Sequence, residues 1–245
     1  MQAASSFMLA MSFLTRMVPA RSGDEESLAG SMAWFSLVGL VLGVIMVLPC
    51  LLGLAGNYPL VQALMVLGLG FYLTRGLHWD GWADLWDGWA SQADGERFWT
   101  IVKDSRTGAF GVAGIFFGLG GQLVLLGEVI RLEQWAVIVW AVVLGRFGAW
   151  ALAFVGKDLS RPGLGSLFIK GGTRTRAIVL NLAVTLGLAL VLVPIKTVLI
   201  SGLLLAGGLV FFYRLGRKMK GINGDFLGAA IIWGEISGLL GHLIL

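Results

Sequence analysis

The chain has 245 residues, of which 57% are hydrophobic and 13% charged, with a mean hydropathy of +0.86 and a formal net charge of +4. These values lie far outside the range of soluble globular proteins, so they predict an integral membrane protein. The basic residues lie just beyond the apolar runs, where attraction to anionic lipid accounts for them, and nucleic-acid binding is therefore not indicated.

The apolar runs predict the helices in chain order. Residues 7–18 are too short to span a bilayer and include Arg16, which favours an interfacial helix. Seven further runs approach the length that crosses a hydrocarbon core of about 30 Å. They are 28–54, 59–73, 107–130, 134–155, 177–194, 197–213 and 224–245. The predicted fold class is all-α: a polytopic helical bundle of about seven transmembrane helices in one membrane domain, residues 1–245.

The loops between these runs predict the orientation. Nearly all basic residues fall in the segments that face the cytoplasm if the N-terminus does. Only Arg131 and Lys196 fall on the opposite side, and Arg146 lies within a span. The positive-inside rule then predicts a cytoplasmic N-terminus and a C-terminus outside. The single cysteine, Cys50, lies within the first run and excludes an intrachain disulfide.

The stretch HWDGWADLWDGW, residues 78–89, concentrates carboxylates in this apolar chain. On a helix, Asp80, Asp84 and Asp87 are spaced i, i+4, i+7 and share one face, while the tryptophans form a second stripe. Three like charges repel one another unless water or a cation lies between them. Magnesium binds carboxylates together with water and substrate phosphates, which points to phosphoryl transfer. A solvated polar helix on the cytoplasmic surface remains the alternative.

The segment KDSRTGAFG, residues 103–111, follows this helix within a motif region of residues 75–110. Asp104 stands between Lys103 and Arg106, so it is either an ion-pair partner or N-cap, or a fourth carboxylate on the metal face. In the second case Lys103 and Arg106 would hold phosphate oxygens.

Three charges within or beside the later spans need partners. Arg146 and Glu235 lie mid-span, where an unpaired charge is costly, so both are expected to face the bundle interior, either paired with each other or lining a cavity. Asp225 is either the N-cap of the last span or a nucleotide contact.

Four segments carry a resemblance to a known family. They are GLHWDGWADLWDGWAS, IVKDSRTGAFGV, SRPGLGSLF and GINGDFLGA. In order and spacing they resemble the motifs of the cobalamin synthase family, adenosylcobinamide-GDP ribazoletransferase, and the resemblance extends over nearly the whole chain. It implies a magnesium-dependent enzyme of the bacterial inner membrane that joins adenosylcobinamide-GDP to alpha-ribazole or its 5′-phosphate and releases GMP. The sequence leaves open whether the protein is a homo-oligomer.

The resemblance also implies roles for individual residues. The catalytic candidates are His78, Asp80 and Asp104. The metal-binding candidates are Asp80, Asp84, Asp87 and Asp104. The substrate- and phosphate-binding candidates are Lys103, Ser105, Arg106, Arg146, Arg161, Gly163, Gly165 and Asp225. The departures from the family pattern are Arg75 for glycine, Ser36 for proline, Asn223 for threonine and Ile232 for glutamate.

Two other classes of protein compete with this prediction. A CDP-alcohol phosphotransferase would share the metal chemistry but needs a DGxxAR pattern, which DGWAD and DGWAS both break. A transporter would need polar residues spread over several spans, whereas the carboxylates here cluster in one segment.

Overall fold

The computed structural model describes residues 2–244, and these residues form α-helices joined by short turns. The helices are α1 (Gln2–Leu14), α2 (Glu25–Ser31), α3 (Phe35–Met46), α4 (Leu48–Leu51), α5 (Pro59–Thr74), α6 (Leu77–Ala90), α7 (Gly95–Val102), α8 (Ala109–Arg131), α9 (Trp135–Val155), α10 (Leu164–Gly172), α11 (Thr175–Leu192), α12 (Ile195–Lys218) and α13 (Gly224–Leu243). Short 3-10 helices cover Met32–Trp34 and Lys157–Leu159. The predicted all-α fold class is confirmed.

Within residues 2–244, six helical segments are long and apolar enough to cross a membrane. They are Glu25–Leu51, which joins α2 to α4, and α8, α9, α11, α12 and α13. The structure differs from the prediction at the second span. Helix α5 has only 16 residues, and the chain bends by 92° between α5 and α6. The count is therefore six, or seven if this bent pair is one span, and α6 runs across the direction of α5.

The bend between α5 and α6 is made by two residues with left-handed backbone conformations. Arg75 has φ 59° and Gly76 has φ 66°. Glycine adopts this conformation freely, which explains why a glycine suits position 75, where this chain carries arginine. The guanidinium of Arg75 donates hydrogen bonds to the carbonyls of Ser12 (3.2 Å) and Phe13 (2.7 Å). Arg75, which departs from the family pattern, therefore connects the bend to the end of α1.

Helices α9 and α13 form the centre of the bundle. The most apolar stretches of α9 and α13 are 83% and 67% buried inside the protein, compared with 22% to 28% for those of α8, α11 and α12. The close packing depends on small residues: a Cβ on Gly234 would lie 2.6 Å from the Cα of Gly145, and one on Gly238 would lie 2.5 Å from the Cα of Ala141. Small residues at such contacts let helix backbones approach closely in a membrane, where packing drives association.

A buried ion pair joins α9 to α13, and a glutamine of α8 donates a hydrogen bond to it. Arg146 is 1% exposed, and its Nη1 donates to Oε1 of Glu235. The other carboxylate oxygen of Glu235 accepts a hydrogen bond of 3.0 Å from Nε2 of Gln122 on α8. The prediction that both charges face the bundle interior is confirmed, and they pair with each other. Substrate binding by Arg146 stays a prediction.

Replacing Glu235 by leucine will leave the charge of Arg146 buried without a partner. We expect the free energy of unfolding to fall by about 3 kcal/mol or more. Thermal unfolding of the detergent-purified protein, followed by tryptophan fluorescence, measures the change. The double variant Arg146→Met/Glu235→Leu removes both charges and should recover most of the loss. A double variant no more stable than Glu235→Leu would contradict this account.

Candidate active site

The three aspartates of α6 have different surroundings. Asp80 is exposed, Asp84 is half-buried and Asp87 is 7% exposed. The carboxylate of Asp87 accepts hydrogen bonds from the backbone N–H groups of Gly108 (2.7 Å) and Gly111 (2.8 Å). These groups belong to the first turn of α8, whose free N–H groups favour an anionic partner. Asp87 therefore fastens the start of α8 to α6, and its predicted metal role stays a prediction.

The tryptophans of α6 pack on neighbouring helices, as the second stripe predicts. Trp79 and Trp82 are 6% and 7% exposed, and Nε1 of Trp82 donates to the carbonyl of Gly114 on α8. Trp89, at the end of the helix, is 45% exposed. The aspartate face and the tryptophan face thus fix the orientation of α6 against α8.

The loop before α8 lies at the surface. Asp104 accepts three hydrogen bonds from Arg106, one from its backbone N–H and two from its guanidinium. This partner lowers the pKa of the Asp104 carboxyl to about 2. Asp104 is an ion-pair partner of Arg106 and not the N-cap of α8, which is Gly108, and the metal-binding and catalytic roles of Asp104 stay predictions. Lys103 and Ser105 are exposed, and their phosphate-binding roles stay predictions.

The first turn of α13 lies directly against α6. The N-cap of α13 is Asn223, whose side chain accepts from the N–H of Phe226, so the expectation that Asp225 caps this helix is wrong. Asn223 instead donates from Nδ2 to Asp225 (2.6 Å). A Cβ on Gly81 would lie 2.7 Å from the Cα of Asp225. Glycine at position 81 therefore permits the contact that brings Asp225 to the aspartate face of α6.

A third segment joins the same contact. Gly165, in the first turn of α10, packs so closely on the backbone of Gly224 that a side chain there would collide with it. Gly163, just before α10, has φ 138°, a conformation that favours glycine. Three sequence segments that are far apart in the chain, residues 78–81, 163–165 and 224–225, therefore meet at one place.

Asp80, Asp84 and Asp225, here called the aspartate group, influence one another electrostatically. The pKa of Asp84 is raised to about 7, chiefly by burial and then by the charges of Asp225, Asp80 and Asp87. Burial and uncompensated negative charge both disfavour the ionised form, and a cation beside these carboxylates would reverse the second effect. The aspartate group thus has the electrostatic character of a cation site.

The aspartate group offers oxygen donors to the magnesium ion that the family resemblance implies. Within residues 2–244, no three His, Cys, Asp or Glu side chains lie close enough together to hold a metal ion by themselves. Magnesium usually takes only one or two protein carboxylates and completes its shell with water and substrate phosphates. The residues therefore fit a magnesium ion whose coordination the substrate completes, and they do not form a closed metal cage.

Two cavities flank Asp80. The small cavity, about 200 Å³, lies between α1, α3, α6, α10 and α13, and the large cavity, about 560 Å³, lies between α1, α5, α6 and α8. Phe13, Leu77 and Asp80 line both of them. The small cavity also contains His78, Gly165, Gly224 and Asp225, and the large one contains Arg75 and Thr107. Asp80 is thus placed where two bound molecules would meet.

Arg161 lies outside these cavities. Its guanidinium stacks over the ring of Trp99 at 4.2 Å and pairs with Glu96 at 3.5 Å. Its predicted substrate role stays a prediction, although the stacking on Trp99 gives it a place in the structure without one.

Several lining residues were absent from the predicted site. They are Phe13, Phe35, Phe168, Arg75 and Thr107. Phe168 does lie within a segment that carries the resemblance, but an apolar ring in an apolar chain gives no signal of its own. Only the convergence of α1, α3 and α10 distinguishes these rings from other core phenylalanines.

Fold and site together define a polytopic α-helical membrane protein with an aspartate site at the junction of two cavities. The sequence profile of cobalamin-5-phosphate synthase matches residues 6–243, so the chain belongs to this family.

Related proteins named adenosylcobinamide-GDP ribazoletransferase support the same assignment. The one from Nitratidesulfovibrio vulgaris (strain DSM 19637 / Miyazaki F) is 46% identical over 98% of this chain and 95% of its own length. Those from Syntrophobacter fumaroxidans and Chlorobaculum parvum are 37% and 33% identical over 92% of this chain, and over 92% and 89% of their own lengths. No solved structure matches the chain.

Asp87→Asn will loosen the loop at residues 103–107. An amide has one acceptor oxygen and places an NH₂ group near N–H donors, so we expect about 1.5–3 kcal/mol of local stabilisation to be lost. Limited trypsin digestion should then cleave faster after Lys103 and Arg106, as followed by mass spectrometry. Asp80→Asn, which removes a carboxylate without backbone partners in the described residues, is the matched control. Equal cleavage rates in the two variants would exclude this role for Asp87.

Proposed function

We propose that this protein is an adenosylcobinamide-GDP ribazoletransferase, which joins adenosylcobinamide-GDP to alpha-ribazole or its 5′-phosphate in the last steps of cobalamin biosynthesis. The observation that carries the proposal is the 46% identity, over almost the whole chain, to a relative of that name. The site is consistent with it, because Asp80 lies between two cavities and the reaction joins two molecules. Family membership does not favour a CDP-alcohol phosphotransferase.

The reaction transfers a phosphoryl-linked group from one oxygen to another. A ribose hydroxyl of the acceptor attacks the phosphorus that carries cobinamide, a new oxygen–phosphorus bond forms, and the bond to the GMP oxygen breaks. Asp80 accepts the hydroxyl proton, and GMP leaves as the phosphate anion. Asp80 is preferred to Asp104 as this base because it lines both cavities, whereas Asp104 is held by Arg106.

Asp84 and Asp225 would hold a magnesium ion, which leaves Asp80 free to act as the base. Such an ion neutralises charge on the pyrophosphate and its leaving group. Burial and then the repulsion of neighbouring carboxylates raise the pKa of Asp84, and a cation beside it would reverse the second effect, which supports this assignment. Lys103 and Arg106 are exposed beside the aspartate helix, and their charges would attract the anionic donor to this end of the protein.

Replacing Asp84 by asparagine should abolish product formation. We expect conversion of adenosylcobinamide-GDP and alpha-ribazole to require magnesium in the native protein, and kcat to fall at least about 100-fold in Asp84→Asn, because a metal-binding carboxylate is lost. Asp158→Asn, at an exposed aspartate that lines neither cavity, is the control and should stay within about twofold. Undiminished turnover by Asp84→Asn, or full turnover without divalent cations, would contradict the proposed metal role.

The aspartate site would face the cytoplasm of a bacterial inner membrane, where nucleotide-activated substrates are made. Support comes from the distribution of basic residues, which crowd the loops on the aspartate side. The loop between α8 and α9, which follows Arg131 at the end of α8, would then lie outside.

Cysteine labelling tests this orientation. In a Cys50→Ala background, Gln134→Cys should react with a membrane-impermeant maleimide in intact spheroplasts, because it lies in the α8–α9 loop. Asp94→Cys, which is exposed between α6 and α7, should react only after the membrane is opened. The reverse labelling pattern would show that the site faces away from the cytoplasm.

A further inference from the structure

The small cavity combines an aromatic wall and an acidic wall. One wall is aromatic: Phe13, Phe35 and Phe168 pack on one another, with ring centroids 4.4 Å apart for Phe13–Phe168 and 5.6 Å apart for Phe35–Phe168. The other wall carries the carboxylates of Asp80 and Asp225. A ligand that satisfies both walls has a flat apolar part and hydroxyl groups that donate hydrogen bonds to carboxylates.

A buried histidine close to the small cavity has a ring nitrogen that is unpartnered among residues 2–244. His78 also lines the small cavity and is 4% exposed, yet within the described part of the chain its Nε2 has no hydrogen-bond partner. Buried polar atoms are almost always paired, with protein, water or ligand. This atom is enclosed by protein between the small cavity and the pocket beside Arg146 and Glu235, so the walls of the small cavity alone define its ligand.

The size and charge of the cavity limit the choice of ligand. About 200 Å³ is below the usual range for sites of drug-sized molecules, about 300–1,000 Å³, so a corrin macrocycle is excluded. Among the lining residues, all of which fall within residues 2–244, none is lysine or arginine. A phosphate group would therefore lie outside the cavity, whereas an uncharged base and sugar suit its walls.

We propose that the small cavity binds the aromatic nucleoside acceptor, with the base against Phe13 and Phe168 and the ribose hydroxyls facing Asp80 and Asp225. This inference rests on the proposed function and adds to it a location for one of the two substrates. The large cavity on the other side of Asp80 is left for the phosphate-bearing end of the donor. The acceptor hydroxyl then meets the donor phosphorus beside Asp80.

Steady-state kinetics with each substrate varied in turn test the assignment. Phe13→Leu and Phe168→Leu remove a ring that stacks on the base, and we expect the KM for alpha-ribazole to rise about tenfold. In Phe168→Leu, whose ring lines only the small cavity, the KM for adenosylcobinamide-GDP should stay within about twofold. The KM for alpha-ribazole 5′-phosphate should rise by the same factor as for alpha-ribazole, because the phosphate lies outside the cavity. Phe117→Leu, at a ring 67% exposed on α8, is the matched control and should change neither KM.

A third variant keeps the test valid if the two phenylalanine variants do not fold. Leu164 is 53% exposed and lines the cavity, so Leu164→Trp should fold and should still raise the KM for the acceptor by narrowing the cavity. An unchanged acceptor KM in all three folded variants, or a rise confined to the donor KM, would overturn the inference.

Equilibrium dialysis of labelled alpha-ribazole, without donor, separates this inference from the proposed function. If the native protein forms no product, the proposed function fails. Nucleoside binding that is weakened in Phe13→Leu but not in Phe117→Leu would then still support the cavity assignment. Absence of nucleoside binding by the folded native protein would overturn it.

Discussion

The site depends on the close approach of the first turn of α13 to α6 and α10. Gly81 and Gly165 permit it, because any side chain at either position would collide with the backbone of Asp225 or Gly224. Along the rest of α13, Gly234 and Gly238 bring the helix equally close to α9. In a bilayer, where lipid tails are as apolar as leucine, such packing supplies much of the association between helices. The same contacts that stabilise the bundle therefore bring Asp225 beside Asp80 and Asp84.

This packing explains how a mostly apolar protein keeps an acidic site. The carboxylates are not distributed along the spans but lie on α6 and in the first turn of α13, with Asp80 exposed and Asp84 half-buried. The charged pair deep in the bundle, Arg146 and Glu235, is neutralised internally and supported by Gln122. The two sets of charges therefore have different roles. The Arg146–Glu235 pair joins helices, whereas the charges of the aspartate group are left uncompensated. Burial and then the neighbouring carboxylates raise the pKa of Asp84 to about 7.

Much of this arrangement follows from the sequence. Hydropathy predicts the spans, a spacing of i, i+4, i+7 predicts the aspartate face, and the cost of a mid-span charge predicts that Arg146 and Glu235 face inward. Sequence periodicity does not predict the 92° bend, because it depends on left-handed conformations at Arg75 and Gly76. Nor does it distinguish Asp87, held by backbone N–H groups, from its neighbours, or reveal that Asn223 caps α13. These features depend on which helix ends meet in three dimensions.

The most direct test of the account is metal binding by the aspartate group itself. Manganese(II), a paramagnetic substitute for magnesium, can be titrated into the purified protein and followed by electron paramagnetic resonance, with adenosylcobinamide-GDP present to complete the metal coordination. The account predicts a single manganese site in the native chain that is lost in both Asp84→Asn and Asp225→Asn and retained in Asp158→Asn. Equal manganese affinity in all four proteins would contradict it, because the carboxylates between the two cavities would then not form the cation site.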